Sequence, residues 1–370
     1  MKILYADLER EWRGGQSQAW FTLYGLKERG HSVELVAAKN SPLAQRSINA
    51  GIMTHEVSRF GMRLCAAKKI KHLLERNAYD LMQLNEAHAL TSAWLAGAHK
   101  KLKLFISRRI GFPLQKNKVS RARYAAITAF IANSEAVAQS LRDSGVPNGK
   151  IAVVHEGVVV SEPVVEKDRR AARERFGVRD DEFLFGCVGV FVPEKGQRHL
   201  IEALPTVRAS HPKARLLLAG DGVCRAELEA LTDRLNQRDA VIFTGFLDNV
   251  DPAYAALDAF VFPSEFEGLG TSLLAAMALG LPVVSTRRAA LAEVVRPDVT
   301  GLSAEPDGKA FAAAMLTLIE NPELGKKLGA AARSDVANRF SVDAMIRGTL
   351  NVYESYLSRQ AIAKPDFASL

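Results

Sequence analysis

Two kinds of hydrophobic pattern alternate along the chain. Short apolar runs, several of them rich in β-branched or aromatic residues, predict buried strands, and longer segments with an apolar residue every three to four positions predict amphipathic helices. In the first half, strands are predicted at Lys2–Ala6, Ser32–Ala37, Leu81–Leu84, Leu104–Ser107, Ala129–Ala132 and Ile151–His155. In the second half, they are predicted at Phe183–Val190, Ala214–Ala219, Ala240–Thr244, Ala259–Phe262 and Pro282–Ser285.

Helical segments separate these strands. Gln18–Arg29 and Glu135–Ser144 end at Gly30 and Gly145, a residue type that often follows a helix, and Arg198–Ala209 is a third example. Strands joined by helices usually pair in parallel, with helices on both faces of the sheet. The pattern therefore predicts an α/β fold built from doubly wound parallel sheets.

The alternation is interrupted between Glu156 and Arg175. This stretch contains Pro163 and a charged run, which is typical of a linker, and 370 residues are more than one hydrophobic core usually holds. We therefore predict two Rossmann-like domains that face each other across a ligand-binding cleft. The predicted bounds are 1–160 for the first domain, 161–340 for the second, and 341–370 for a segment in which the helix Val342–Arg359 returns to the first domain and a tail from Ala361 frays.

The stretch after the strand Ala259–Phe262 is the most informative in the chain. Gly268 and Gly270 allow a tight turn, and Thr271 or Ser272 is predicted to cap the helix that follows. Free amides at such a helix start favour an anion, and a diphosphate is the natural candidate.

A carboxylate, Glu267, lies immediately before these glycines. It would not bind phosphate, but it would accept hydrogen bonds from the hydroxyls of a sugar ring. A group that binds sugar hydroxyls beside a site that favours phosphate suggests a sugar nucleotide as the ligand. The alternative, in which Glu265 and Glu267 are solvated loop acids beside an ordinary capped helix, stays open from this segment alone.

The net charge of +8, with a pI near 9.4, is unevenly distributed along the chain. No acidic residue lies between Glu86 and Glu135, whereas nine basic residues do: Lys100, Lys101, Lys103, Arg108, Arg109, Lys116, Lys118, Arg121 and Arg123. A second basic cluster surrounds four apolar residues in an amphipathic pattern. It comprises Arg63, Lys68, Lys69, Lys71 and His72 around Leu64, Ile70, Leu73 and Leu74.

This second pattern fits a helix that lies on an anionic bilayer, and a solvated helix face is the alternative. Because both clusters occur in the same half, they favour an acidic lipid or saccharide surface as the partner. They lack interleaved aromatic residues and match no recognition motif, which disfavours nucleic acid.

Other protein classes are disfavoured by the sequence. The N-terminus is predicted to be a strand rather than an export signal, and the longest uncharged run, from Gly268 to Ser285, is divided by glycines and Pro282, so no transmembrane segment is expected. The three cysteines are scattered, which favours a reducing compartment. We therefore expect a cytoplasmic protein with peripheral contact at the inner face of the cytoplasmic membrane.

A dinucleotide-binding oxidoreductase is also disfavoured. Arg13-Gly14-Gly15-Gln16 forms the first strand-to-helix turn but does not match G-x-G-x-x-G, and Gly220-Asp221-Gly222 lacks the third glycine. Gly15 is either a phosphate or acceptor contact or a plain turn glycine.

Six ordered motifs occupy the second half of the chain: Gly189–Gly196, Ala219–Gly222, Phe243–Phe246, Pro263–Gly270, Pro282–Ser285 with Glu293, and Thr300–Leu302. In the first half, further motifs are Gly14–Gly15, Arg29–His31 and Asn133–Val137. Together they resemble the retaining glycosyltransferases of family 4, which have the GT-B fold. The resemblance covers nearly the whole chain.

The resemblance implies transfer of a sugar from a nucleoside diphosphate sugar to a hydroxyl, without a cofactor. Lys195 would neutralise the donor diphosphate and Glu267 would hold hydroxyls of the donor sugar. The backbone amides that would face sugar and phosphate are those of Gly268, Leu269, Gly270 and Thr271. No Asp-x-Asp occurs in the chain, so a metal-bridged diphosphate is not expected.

Two positions depart from the family pattern. Val190 stands where the family usually has an arginine, and Ala275 stands where a glutamate takes the ribose hydroxyls. A lost charge-assisted hydrogen bond is worth about 1.5 to 3 kcal/mol, which weakens donor binding without abolishing it. Glu265 lies on the loop rather than on the helix face of Ala275, so it is no substitute for the missing glutamate.

The first domain departs from the family as well. Family members commonly have a histidine at the end of the strand that here contains Arg108 and Arg109. Either arginine is a candidate to supply the phosphate charge that Val190 cannot. Glu86 and His88, at the end of another strand, are candidates on the acceptor side, with a capped or half-buried polar pair as the alternative.

The leading interpretation is a front-face retaining glycosyltransferase with Glu267, Lys195 and Arg109 as its catalytic residues. The basic residues of the first domain favour an acidic envelope glycolipid or saccharide as the acceptor, and a lipopolysaccharide core is the leading candidate. Two alternatives remain: a non-catalytic paralogue that binds a sugar nucleotide or glycan, and an enzyme that uses a simple sugar phosphate.

Overall fold

The computed structural model describes residues 1–58, 60–115, 117–160, 162–288 and 290–358. Two predictions fall outside these residues: the contribution of Lys116 to the basic run, and the fraying of the tail from Ala361. The chain divides into two compact units. Unit 1 comprises Met1–Gly157 together with the last helix, and unit 2 comprises Val158–Ser341.

Unit 1 is built on a parallel sheet of seven strands in the order β3-β2-β1-β4-β5-β6-β7. The strands are β1 Lys2–Asp7, β2 Ser32–Ala38, β3 Met53–Val57, β4 Leu81–Leu84, β5 Lys103–Arg108, β6 Ala129–Ala132 and β7 Ile151–Val153. The helices are α1 Gly14–Glu28, α2 Pro42–Asn49, α3 Met62–Arg76, α4 Ala87–Leu95, α5 Lys118–Ala125, α6 Glu135–Asp143 and, from the end of the chain, α15 Val342–Ser358.

Unit 2 is built on a parallel sheet of six strands in the order β10-β9-β8-β11-β12-β13. The strands are β8 Phe183–Val188, β9 Ala214–Ala219, β10 Val241–Gly245, β11 Ala259–Phe262, β12 Val283–Thr286 and β13 Leu302–Ala304. The helices are α7 Glu166–Arg175, α8 Gln197–Ser210, α9 Arg225–Arg234, α10 Asp251–Ala256, α11 Thr271–Ala278, α12 Leu291–Val294, α13 Gly308–Glu320 and α14 Pro322–Arg339. The predicted α/β class with doubly wound parallel sheets is confirmed.

Both faces of the unit 1 sheet are buried, as expected for parallel strands covered by helices. Along β1, Ile3 and Tyr5 belong to the apolar layer beneath α1 and α15, whereas Leu4 and Ala6 belong to the layer beneath α3 and α4. Successive side chains of a strand point to opposite faces, so a continuous apolar run supplies both layers.

Helix α15 is an integral part of unit 1. The Tyr353 hydroxyl donates a hydrogen bond of 2.8 Å to Oε1 of buried Gln83, and its ring packs edge-on against Phe105 with centroids 4.9 Å apart. On the same helix, Ile346 lies so close to Gly25 of α1 that a Cβ at position 25 would be 2.7 Å from its Cγ1. The small residue therefore permits the close approach of the two helices.

Two strands were not predicted from the sequence, and both are edge strands. β3 contains polar residues at three of its five positions, since it is covered on only part of its surface, and β13 has only three residues. Short or polar edge strands carry little periodic signal. Helix α1 also begins at Gly14, four positions before the predicted start.

The charged run near residue 166 is not a linker. It forms α7 of unit 2, in which Arg173 is buried and its guanidinium donates to the carbonyl oxygens of Glu182 and Ala256. The same guanidinium lies 3.1 Å from Asp258. These partners are far apart in the sequence, so the charge pattern alone could not identify them.

Candidate active site

In unit 2, the structure brings Lys195 and Glu267 into contact, although 72 positions separate them in the chain. Lys195 ends a short 3-10 turn, Pro193–Lys195, after β8, and Glu267 lies in the loop between β11 and α11. The Lys195 Nζ is 2.5 Å from Glu267 Oε1, and both side chains are mostly buried. β8 and β11 are neighbours in the sheet, so their carboxyl ends place the two loops side by side.

The backbone holds these two loops in contact. The Glu265 N–H donates to the Glu194 carbonyl at 2.9 Å, and the Ser264 hydroxyl donates to the same oxygen at 3.3 Å. Gly196 has φ of +66°, and a Cβ there would be 2.5 Å from the Pro263 carbonyl oxygen. Glycine at position 196 is therefore required both by its dihedral angle and by the close approach of the next loop.

The predicted side-chain cap of α11 is wrong. The helix begins at Thr271, and its N-cap is Gly270 in the left-handed region with φ of +88°, without a side-chain hydrogen bond. A Cβ at position 270 would be 2.7 Å from Leu291 Cδ2, which excludes the residue types that usually cap a helix. Within the part of the chain that the structure describes, no side-chain cap is seen at the start of α11, the arrangement in which a helix start attracts an anion.

The two departures from the family pattern lie beside this site. Val190 is 49% exposed and its carbonyl accepts from Gln197 Nε2 at 3.0 Å. Ala275 lies on α11, one turn beyond Thr271, and is partly buried. Glu265 has its carboxylate 3.8 Å from His199 Nε2, so it pairs with a different residue from the Lys195 that contacts Glu267.

In unit 1, Arg109 lies at the end of β5 in a polar network. Its Nε is 2.8 Å from Glu156 Oε1, and its Nη1 donates to Asn85 Oδ1 at 2.7 Å. The Asn85 side-chain amide donates in turn to Asp7 at 2.5 Å, whose pKa is raised by burial. Arg109 is 18% exposed, and its charge is offset by Glu156 within the unit.

Glu86 is the N-cap of α4. Its carboxylate accepts from the backbone N–H groups of Leu8 at 3.1 Å, of Ala89 at 2.7 Å and of His88. Burial, reinforced by the nearby Asp7 carboxylate, raises the pKa of Glu86 to about 7. The capped polar residue that was left open as an alternative for Glu86 is therefore present, together with an unusually high pKa.

His88 and Arg108 have different surroundings. His88 Nδ1 accepts from Arg63 Nε at 2.9 Å, and burial together with the Arg63 charge lowers the pKa of the imidazole. Arg108 Nη2 donates to the Phe112 carbonyl at 2.5 Å, and burial lowers the pKa of its guanidinium.

The predicted unit 1 residues share one pocket of about 440 Å³ at the carboxyl ends of β1, β4 and β5. We call it the Glu86 pocket. Its walls contain five of them, namely Gly15, Glu86, His88, Arg108 and Arg109. Gly15 lies in the first turn of α1, its carbonyl accepts from Asn85 at 3.3 Å, and no atom lies within 4 Å of where its Cβ would be.

The basic amphipathic helix predicted near residue 70 exists as α3, but most of its apolar residues serve the core. Ile70, Leu73 and Leu74 are buried in the layer beneath α3 and α4, so they are not available to a bilayer. Leu64 is 62% exposed, and Phe60, in the turn before α3, is 91% exposed.

Sequence reasoning missed several members of these sites. Asp7, Asn85 and Glu156 each end or follow a strand of unit 1, and that position was a signal that could have singled them out. Arg63 contacts His88 from a separate helix, and no local pattern indicates that contact.

Among the residues that the structure describes, no three His, Cys, Asp or Glu side chains are grouped so that they could hold a metal ion. Over the same ranges, no helix combines the length and the apolar character needed to cross a bilayer. The expectation that no metal or cofactor is required stays a prediction.

Two family models match the chain, one for each unit. The model described as Glycosyltransferase Family 4 matches residues 12–162, and the model described as Glycosyl transferases group 1 matches residues 168–335. The chain belongs to the family 4 glycosyltransferases. This membership agrees with the ordered motifs of both halves.

Similar proteins carry related names. An uncharacterized glycosyltransferase of Methanocaldococcus jannaschii is 31% identical over 56% of this chain and 55% of its own length. The lipopolysaccharide core biosynthesis glycosyltransferase LpsD of Rhizobium meliloti is 32% identical over 49% of this chain and 52% of its own length. The matches to these two relatives thus span about half of their length.

The solved structure of Anabaena HepE in complex with UDP is similar in fold to the present chain. It has a TM-score of 0.82 at 22% identity and covers 96% of this chain and 100% of its own. The fold is GT-B.

Proposed function

We propose that this protein transfers a sugar from a nucleoside diphosphate sugar to an acceptor hydroxyl, with retention of the anomeric configuration. The observation that carries the proposal is the contact of 2.5 Å between Lys195 and Glu267 beside the start of α11. This contact places the Lys195 cation and the Glu267 carboxylate next to each other, in the loops that adjoin the backbone amides at the start of α11. These are the three groups that a sugar diphosphate needs.

The proposed chemistry uses each of these groups. The bond between the anomeric carbon and the diphosphate oxygen breaks, and the acceptor oxygen bonds to the same face of that carbon. The acceptor proton passes to the leaving diphosphate. Lys195 and the amides of Gly270 and Thr271 stabilise the charge that develops on the diphosphate, because they are already oriented before the reaction. Glu267 accepts hydrogen bonds from the donor sugar.

A nucleotide-sugar donor is supported by the name of Anabaena HepE, which is described in complex with UDP. Val190 and Ala275 remove two contacts that the family usually makes to the nucleotide. Either Arg108 or Arg109 was predicted to replace the phosphate charge, and the pairing of Arg109 with Glu156 reduces the net charge that Arg109 offers. We therefore expect weaker donor binding than in a relative with both contacts.

The proposed acceptor is an acidic envelope glycolipid or saccharide, with a lipopolysaccharide core favoured. The support is the run of basic residues between Glu86 and Glu135 in unit 1, together with the name of the relative LpsD. We also propose that the protein works in the cytoplasm and contacts the inner face of the cytoplasmic membrane through α3.

The donor half of the proposal is tested by saturation-transfer NMR against UDP, GDP, ADP and their common sugar conjugates. Binding of one nucleotide is expected, and its sugar conjugate should be bound less tightly by Glu267→Ala. Loss of charge-assisted hydrogen bonds predicts a decrease of about 10- to 100-fold. Lys195→Ala should weaken binding of the free nucleotide as well, since it removes the cation proposed to contact the diphosphate.

Glu265→Ala is the matched control, because it deletes a carboxylate two positions away that does not contact Lys195. It should leave donor binding within about twofold of wild type. If Glu265→Ala and Glu267→Ala weaken donor binding equally, the proposed donor site is wrong. It is also wrong if no nucleotide binds at millimolar concentration.

Two further measurements separate the alternative functions. Slow hydrolysis of the bound sugar nucleotide without acceptor is expected of a transferase and not of a non-catalytic binding protein. Inhibition by the free nucleoside diphosphate is expected of a nucleotide-sugar enzyme and not of one that uses a simple sugar phosphate.

A further inference from the structure

A second pocket of unit 1 adjoins the Glu86 pocket. It has a volume of about 520 Å³, within the range of small-molecule sites, and is bounded by residues 8–10, by residues 61–64 and by His88. We call it the Arg63 pocket. Glu9 and His88 line both pockets, so the two are contiguous.

The Arg63 guanidinium is only partly used by the protein. Its Nε donates to His88 Nδ1 at 2.9 Å. Among the residues that the structure describes, neither terminal nitrogen of Arg63 has a hydrogen-bond or ion-pair partner. The planar guanidinium therefore presents its paired N–H groups to an incoming ligand, and this geometry matches a phosphate or carboxylate.

The contact with Arg63 also determines the state of His88. A guanidinium has no lone pair to offer, so His88 Nδ1 must be the acceptor and the ring proton must lie on Nε2. Burial and the Arg63 charge lower the pKa of His88, which keeps the ring neutral at neutral pH. His88 Nε2–H has no partner within the described part of the chain and is a further donor at the junction of the pockets.

Among the described residues that line the Arg63 pocket, the other charged groups are Arg10 and Glu9. The Glu9 carboxylate accepts from the backbone N–H of Arg10 at 2.9 Å, and both charges act on His88. Two guanidinium groups against one carboxylate leave a net charge of about +1 with His88 neutral. This balance suits a single anionic group and disfavours a cation.

We propose that the Arg63 pocket binds a phosphate or carboxylate group of the acceptor, with Arg63 and His88 as its donors. This inference rests on the proposed function, because it assigns the Glu86 pocket to the sugar that receives the new bond. Since the pockets are contiguous, the anionic group lies on the acceptor residue next to the reacting hydroxyl. Neutral acceptors that lack the group would leave these donors unpaired.

The test uses the full chain labelled with carbon-13 in its histidine rings, and the probes are inorganic phosphate and glycerol 3-phosphate. The His88 signal is assigned by its loss in His88→Asn. Both probes should shift this signal at constant ionic strength, whereas glycerol should not. A bound anion should also raise the apparent pKa of His88, because it favours the charged ring.

Arg63→Gln should weaken this response about tenfold or more, the effect of losing charge-assisted hydrogen bonds. Arg76→Gln is the matched control, since it removes the same charge from the same helix at an exposed position outside the pocket. If Arg76→Gln weakens binding as much as Arg63→Gln, the effect is that of overall charge and the proposal fails. Absence of any His88 shift overturns it as well.

Two short-chain lipids, used below their micelle concentrations, distinguish the sources of the anionic group. If dihexanoyl phosphatidylglycerol shifts His88 more strongly than glycerol 3-phosphate, the pocket is supported as a site for a lipid headgroup. The reverse order supports a phosphorylated sugar. Equal shifts with zwitterionic dihexanoyl phosphatidylcholine overturn the anion site. The donor experiments do not involve His88, so a failure here is distinguishable from failure of the proposed transferase activity.

Discussion

At the residue scale, the ionisation of the Glu86 carboxyl differs from that of a solvated carboxyl near neutral pH. Its pKa is raised from 4.5 to about 7 by burial and by Asp7. Between these two values the folded protein holds a proton that the unfolded chain has lost. The stability from this group is therefore complete below about pH 4.5 and is lost as the pH rises through about 7.

Glu86→Gln tests this difference because the amide cannot ionise. We expect the free energy of unfolding of the wild type to fall between pH 5 and pH 8 by on the order of 2 kcal/mol more than that of the variant. Denaturant titrations at the two pH values measure the change. Glu75→Gln, at an exposed position of α3, should follow the wild type; parallel pH profiles for wild type and Glu86→Gln would contradict the prediction.

The two charged residues of the proposed donor site were singled out from the sequence, whereas much of the unit 1 network was not. Lys195 and Glu267 stand in motifs of the second half, and the structure brings them together. The predicted cap at Thr271 or Ser272 was wrong, because the N-cap is Gly270 and makes no side-chain hydrogen bond. The packing of Leu291 against position 270 is visible only in three dimensions. Arg109 was identified by position, but its pairing with Glu156 depends on the sheet order.

At the element scale, α15 completes one face of the unit 1 sheet. Its Tyr353 side chain is buried, and the hydroxyl is bonded to Gln83 Oε1 at 2.8 Å. Tyr353→Phe should reduce the free energy of unfolding by about 1 to 3 kcal/mol, since it leaves a buried carbonyl oxygen without its partner.

Urea unfolding measures this loss. The matched control is Tyr24→Phe, at a position that is 42% exposed, where a change below about 0.5 kcal/mol is expected. Equal stability of the two variants would show that the Tyr353 hydrogen bond contributes nothing measurable.

The elements that sequence reasoning found are those with continuous apolar runs, such as β1, β6 and β11. These strands are buried on both faces, and burial is what the pattern records. The missed strand β13 is three residues long, too short for a periodicity. The charged helix α7 has its partners elsewhere in unit 2, so its sequence resembles a linker.

At the scale of the whole molecule, the distribution of charge over unit 1 is the feature with a functional consequence. Phe60, Leu64, Lys68 and Lys71 form an exposed surface along one side of α3 and the turn before it, which we call the α3 surface. Exposed apolar side chains between lysines are suited to an anionic bilayer.

The double variant Lys68→Gln, Lys71→Gln should reduce binding to phosphatidylcholine vesicles that contain anionic phosphatidylglycerol. At about 1 kcal/mol per lysine, the expected decrease is about 30-fold, measured by co-sedimentation. The control Lys167→Gln, Lys309→Gln removes the same charge from exposed positions of unit 2. If both double variants lose binding equally, or if anionic lipid makes no difference, the α3 surface is not the membrane contact.

The position of α15 has a consequence for the order in which the protein is made. Residues 158–341, which contain the whole of unit 2, leave the ribosome before the helix that completes unit 1. Until then, the sheet face around Tyr5 and Phe105 lacks the cover that Ile346 and Tyr353 provide in the finished protein. Although domains generally fold from the N-terminus during synthesis, residues 1–157 are translated before unit 2 and complete their packing after it, so their nascent apolar face is a surface that a chaperone can bind in the interval.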